Sequence, residues 1–196
     1  LLGWVGKYLS RKFKNPASKY DSHYLAISSS YDELLSLVQG QYKDLKWNSN
    51  SKSFTSISQK YKPTLEILSS ILQQQNVEIT QELDNYFILV LEKTASLFWL
   101  SIMLAINPVP PNEKLREWAY IFGVVFQISD DLLDIEQDKR NGKPHICELL
   151  DVEIGRSLLV NCVDWLNSSY LEIANSRDLE FDLLAEIIGM VRNRSV

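Results

Sequence analysis

Only 7 glycines and 6 prolines punctuate the 196 residues, and three of the prolines fall together between Asn107 and Pro111. Long segments are therefore free to form regular structure, and strand-like alternation is scarce, which predicts an all-α domain. Cysteine is nearly absent. Cys147 and Cys162 exclude a disulfide framework, and neither has a second cysteine or a histidine at zinc spacing. Both are expected as core fillers in a reducing, cytoplasmic setting. An excess of positive charge is also lacking: a net charge of -5 and a pI near 5.1 argue against a nucleic-acid surface. The longest apolar region, Tyr86 to Ile106, is interrupted by Glu92, Lys93 and Thr94, so a buried helix is expected there and not a transmembrane segment. An initiator methionine is missing, and the sequence is expected to be a processed or incomplete piece.

What is present is the composition of a soluble globular chain, 45% hydrophobic and 23% charged, sized for one domain over residues 1–196. Leu1 to Phe13 predicts a helix with basic Lys7, Arg11 and Lys12, a face suited either to solvent or to a membrane surface. Asp21 or Ser30 is the expected cap of a helix through Tyr31 to Trp47, with Leu34, Leu35, Val38, Tyr42 and Leu45 as its apolar stripe. Gln41 and Asp44 share a face beside it. Asn48 to Ser53 predicts a loop without packing. Phe54 to Leu72 has helical spacing, with Pro63 marking a first turn or a kink, and Thr80 opens the next helix. In that helix Lys93 either snorkels to solvent or meets an anion, and the adjacent Thr94 hydroxyl favours the anion. Asn112 to Ile135 predicts a long helix burying Leu115, Trp118, Ala119, Phe122 and Phe126. Glu136 to Pro144 is expected as a charged loop whose Lys139, Arg140 and Lys143 face solvent or fold over a ligand. Two more helices are predicted, over Ile146 to Leu166 and Leu179 to Val191.

The chemistry concentrates in Gly123 to Asp134, G-V-V-F-Q-I-S-D-D-L-L-D. At helical pitch Asp130 and Asp134 project from one face, Gln127 lies one turn earlier, and Asp131 sits about 100° round. Carboxylates this close resist ionising together unless a cation neutralises them, and the helix C-terminus is a further penalty for anions. Magnesium meets that demand, since it takes one or two carboxylates and completes its shell with water and phosphates. An exposed acidic turn is the plain alternative, opposed by the flanking Phe126, Ile128, Leu132 and Leu133.

These residues resemble the trans-isoprenyl diphosphate synthases, the farnesyl and geranylgeranyl diphosphate synthase family of polyprenyl synthetases. The family's second aspartate-rich motif, G-x-x-F-Q-x-x-D-D-x-x-D, is matched at Gly123, Phe126, Gln127, Asp130, Asp131 and Asp134. G-Q-x-x-D-L follows at Gly40, Gln41, Asp44 and Leu45, K-T at Lys93 and Thr94, and G-K at Gly142 and Lys143. The resemblance implies the all-α isoprenoid synthase fold, with antiparallel helices around a central cavity. It implies a magnesium-dependent condensation of isopentenyl diphosphate with an allylic diphosphate, by ionisation, condensation and elimination. Asp130, Asp131 and Asp134 are then the metal-binding residues. Lys93 and Lys143 contact diphosphate, Thr94 and Gln127 support the site or the cation, and Gln41 lines the cavity. A homodimer or heterodimer is expected by resemblance alone.

The departures set the alternatives. The first aspartate-rich motif, its following arginine pair and the earlier isopentenyl diphosphate ligands do not occur before Gly40. A missing N-terminal part is the expected reason. Glu148 and Arg156 stand where the family has an aspartate and a lysine, and the gap between Gln41 and Lys93 is longer than usual. One alternative function is a non-catalytic or regulatory subunit of a heteromeric synthase. Another is a class I terpene cyclase, opposed by the lack of an N-D-x-x-S-x-x-x-E motif.

Overall fold

A computed structural model describes residues 20–47, 59–106, 112–141, 145–175 and 189. Every regular element among them is helical, as the scarcity of glycine, proline and alternation predicts. The elements are α1 (Tyr20–Lys46), a 3-10 turn (Gln59–Tyr61), α2 (Lys62–Gln74), α3 (Gln81–Val90), a π-helical turn (Leu91–Ala95), α4 (Ser96–Ile106), α5 (Glu113–Leu133), α6 (Ile135–Asn141), α7 (Ile146–Leu149) and α8 (Val152–Asn175).

Local chemistry sets several of these boundaries. Asn112 caps α5 by accepting the Leu115 N–H at 3.1 Å, and Thr80 caps α3 by accepting the Leu83 N–H at 3.2 Å. Pro63 sits in the first turn of α2, where its missing N–H costs nothing, so it starts a helix and does not kink one. Beyond α2 the chain turns at Asn76, whose φ of 57° lies in the left-handed region that asparagine tolerates.

Helix α5 is the central strut. It packs against α8, α4 and the π turn, while α1 lies across the π turn and α4. Trp118 stacks on Phe122 with ring centres 5.6 Å apart and donates its indole N–H to the Leu166 carbonyl at 3.1 Å, fastening α5 to α8. Phe98 of α4 meets Phe122 edge-on at 4.8 Å. The run Gln81–Met103 is long and apolar enough to span a membrane by length and composition, and 67% of its apolar window is buried within the protein.

Four expectations change. The first helix is already formed at Tyr20, so Ser30 is a buried residue inside it and caps nothing. Its stripe is not the packed face: Leu34 is half-buried, but Leu35, Val38, Tyr42 and Leu45 are exposed. The stretch after Asp134 is not loop throughout, because α6 carries the helix on to Asn141. The predicted helix from Ile146 breaks at Leu150 and Asp151, and its second part continues past Leu166 to Asn175. Between Gln41 and Lys93, Tyr61, Leu68 and Leu72 are fully buried core residues, in keeping with the helix expected up to Leu72. The basic N-terminal segment, the Asn48 to Ser53 loop, Gly142 to Pro144 and most of Leu179 to Val191 lie outside the described residues.

Candidate functional site: a π turn docked on an aspartate-bearing helix

The π turn holds one residue more than an α-helical turn, an insertion that reorients the side chains it carries. Its start is tied down from inside: the Ser96 hydroxyl donates to the Leu91 carbonyl at 3.0 Å and shares a 2.9 Å hydrogen bond with the Tyr61 hydroxyl. Two glycines let neighbouring helices reach its backbone. A β-carbon on Gly40 of α1 would lie 2.4 Å from the Lys93 nitrogen, and one on Gly123 of α5 would lie 2.4 Å from the Ala95 α-carbon. No larger residue fits either contact without moving the backbone.

With the turn held this way, consecutive residues face different helices. Glu92 and Lys93 meet Lys43 and Asp44 of α1 in two adjacent, oppositely directed ion pairs. Lys43 Nζ lies 2.7 Å from Glu92 Oε1, and Lys93 Nζ lies 2.9 Å from Asp44 Oδ2. The sequence left Lys93 between solvent and an anion; here it meets the Asp44 carboxylate. Thr94 faces α5, where its hydroxyl donates to Gln127 Oε1 at 2.9 Å. The Gln127 amide in turn donates to Asp131 Oδ1 at 2.8 Å. This chain of hydrogen bonds joins the K-T pair directly to the aspartate-rich segment.

The three aspartates divide into two kinds. Asp131 is 1% exposed, and its Oδ2 accepts the Tyr86 hydroxyl at 2.6 Å and the Ile146 N–H at 2.7 Å. Burial raises its pKa above the usual aspartate value, opposed by these three hydrogen bonds. It acts as a connector, tying α3, α5 and the start of α7 together. Asp130 is half-buried, and Asp134 is exposed at the break between α5 and α6. Among the described residues no three acidic, histidine or cysteine side chains converge to hold a metal ion. Asp130 and Asp134 lie four residues apart at the end of α5, less buried than Asp131.

Gln41 is exposed on α1, and Lys143 lies outside the described residues. Two clefts among the described residues, of about 310 and 390 Å³, lie elsewhere, beside Trp165 and Ser168. Lys114, at the rim of the first, is about 24 Å along α5 from Asp130. Sequence reasoning missed Tyr86 as a partner of Asp131 and gave no role to Asp44. Nothing in the local sequence marks Tyr86, which is one of many apolar-stripe aromatics, whereas Asp44 is legible as the acid of the G-Q-x-x-D-L segment.

A polyprenyl synthetase family model matches residues 5–157, well over half of the chain. The match takes in Gly40 to Leu45, the π turn and the aspartate-rich segment, and extends upstream of Gly40, where the first recognisable motif begins. No curated protein and no solved structure matches significantly.

Proposed function

The chain belongs to the polyprenyl synthetase family, and we propose that it carries the half of a prenyl-transfer site that receives an allylic diphosphate. Family membership supports prenyl transfer in general. The observation that carries the finer reading is the Thr94–Gln127–Asp131 chain, which fixes the K-T pair beside the helix end bearing Asp130 and Asp134.

Each residue then has a part. Lys93 presents an ammonium to the diphosphate from a turn whose backbone cannot drift, because Gly40 and Gly123 pin it. Thr94 offers its hydroxyl oxygen while its proton is committed to Gln127, and Gln127 is itself oriented by Asp131. Asp130 and Asp134 would hold magnesium, whose need for one or two carboxylates they fit, while Asp131 supports them from the core. Bound magnesium supplies Lewis-acid stabilisation of the charge that builds on the departing diphosphate. In the reaction the allylic carbon–oxygen bond breaks, the double bond of isopentenyl diphosphate adds to the allylic carbon, and a proton leaves. The products are the longer isoprenyl diphosphate, pyrophosphate and that proton. The positioned cationic and hydroxyl groups act because they face developing charge without having to reorganise.

A second reading rests on the sequence: it carries one aspartate-rich motif only, as a partner subunit of a complete synthase could. The test separates the two. Full-length protein is incubated with labelled isopentenyl diphosphate, dimethylallyl diphosphate and magnesium, alone and with a complete synthase. Label in a longer product with the protein alone supports catalysis. An inert protein that shifts its partner's product length supports the subunit role.

A further inference from the structure

The two ion pairs between α1 and the π turn are not equivalent, and the family signatures take in only one of them. Lys93 belongs to the K-T pair and Asp44 to G-Q-x-x-D-L, whereas Lys43 fills an unspecified position of that segment and Glu92 precedes the K-T pair. On α1, Lys43 and Asp44 lie three and four residues after Gly40, so all three share the side that meets the turn. Neighbours on α1 hold neighbours on the turn, with the signs reversed. Lys43–Glu92 is the inner pair. Its side chains are 17% and 5% exposed, its separation is 2.7 Å, and the second carboxylate oxygen of Glu92 is buried without a hydrogen-bond partner. Lys93–Asp44 is the outer pair, 31% and 15% exposed at 2.9 Å. A buried carboxylate loses more on parting from its cation than a pair closer to solvent does. The outer pair is therefore the one that opens.

We propose that Lys43 and Glu92 are positioning residues that make Lys93 exchangeable, so that a diphosphate can draw its ammonium away from Asp44. This inference rests on the reading of Lys93 as a diphosphate ligand. The exchange needs no backbone movement: the Lys93 nitrogen is held against Gly40, and only the flexible four-carbon side chain swings. Asp44 loses its partner as Lys93 departs. Lys43 is the next residue on α1, and an ammonium with three N–H donors can keep Glu92 while offsetting part of the charge on Asp44. Without Lys43 the balance reverses. Lys93 would then face two carboxylates, one of them buried and unpaired, and both would hold it back from the ligand. Without the Glu92 charge, Lys43 is released to Asp44 and Lys93 is left to the ligand. The two partners of one ion pair thus have opposite effects on anion binding, an outcome that a purely structural role for the pair does not produce.

Calorimetric titration of full-length protein with inorganic pyrophosphate and magnesium tests this without turnover. Lys43→Met is expected to weaken binding by roughly threefold to tenfold and Glu92→Gln to tighten it by a similar factor, the scale of one unit charge at a partly solvated site. The double variant, Lys43→Met with Glu92→Gln, should return close to wild type. Lys93→Met is the check on the ligand itself. If wild type binds no pyrophosphate, or Lys93→Met binds it as well as wild type, the diphosphate role of Lys93 fails and the inference with it. If Lys93→Met weakens binding while Lys43→Met and Glu92→Gln shift it in the same direction, or not at all, Lys93 keeps its role and the exchange is overturned. Should Lys43→Met fail to fold, Glu92→Gln decides alone: tighter binding supports the proposal, and weaker or unchanged binding overturns it.

Discussion

Helix α5 approaches the π turn so closely at Gly123 that a β-carbon there would stand 2.4 Å from the α-carbon of Ala95. Gly40 has the same relation to the Lys93 nitrogen. Real atoms do not approach this closely, so either glycine can gain a methyl group only if helices separate. Gly123→Ala and Gly40→Ala are each expected to cost about 2 kcal/mol or more of unfolding free energy in urea titrations. Gly155 provides the control. Its β-carbon would meet side chains at ordinary contact distances of 3.7 and 3.8 Å, so Gly155→Ala should be neutral or stabilising by up to about 1 kcal/mol.

The Thr94–Gln127 hydrogen bond links the turn to α5, so its two partners should not behave independently. Thr94→Val and Gln127→Leu are each predicted to destabilise by about 1 kcal/mol, and the double variant should cost less than the sum by about 0.5–1.5 kcal/mol. Denaturant melts of the four proteins measure that coupling. Strict additivity would mean that the bond holds nothing in place.

Glu33 makes a comparable claim elsewhere in the core. Its Oε1 lies 2.9 Å from Lys60 Nζ and accepts the Tyr120 hydroxyl at 3.1 Å, and the carboxylate is almost wholly buried. Lys60→Met strands that carboxylate and is expected to cost about 3 kcal/mol. Glu33→Gln in the same background should recover a large part of the loss, because the charge that lacked a partner is gone. Thermal melts of the single and double variants decide it.

Cys162 is fully buried in α8, and burial pushes its thiol pKa up to about 12. It should resist iodoacetamide in the native protein at mildly alkaline pH and react only when the protein unfolds, because the thiolate is the reactive form. Peptide mass mapping after pulse labelling reports this directly. Labelling of Cys162 in the native protein would contradict its placement.

How much of this was legible in the sequence depends on whether the determinant is local. The helix starts at Thr80 and Asn112 and most of the buried face of α5 follow from residue type and spacing and agree with the structure, although Phe126 is only half-buried, and Pro63, open to a first turn or a kink in the sequence, takes the first turn. The π turn was not legible, since an inserted residue leaves no mark on an apolar segment. The stripe of α1 was legible as a pattern but not in its direction. Periodicity identifies an apolar face without saying what covers it, and α1 packs instead through Gly40, Glu33 and the ion pairs of Lys43 with Glu92 and Asp44 with Lys93. In the aspartate-rich segment the spacing separated Asp131 from Asp130 by about 100° and from Asp134 by about 60°, but Tyr86 and Ile146, which commit Asp131 to the core, come from distant parts of the chain.

That division of the aspartates is the most direct handle on the account, and incorporation of labelled isopentenyl diphosphate by the full-length protein tests it. Wild-type protein should form a longer isoprenyl diphosphate only with magnesium present. Asp130→Ala and Asp134→Ala should lose at least about 100-fold in kcat/KM while keeping unfolding free energies within about 1 kcal/mol of wild type. Asp131→Ala should instead unfold more easily by about 3 kcal/mol, because three donors lose a buried acceptor. Turnover that persists unchanged in stably folded Asp130→Ala and Asp134→Ala proteins would contradict the assignment of this face as the diphosphate half-site.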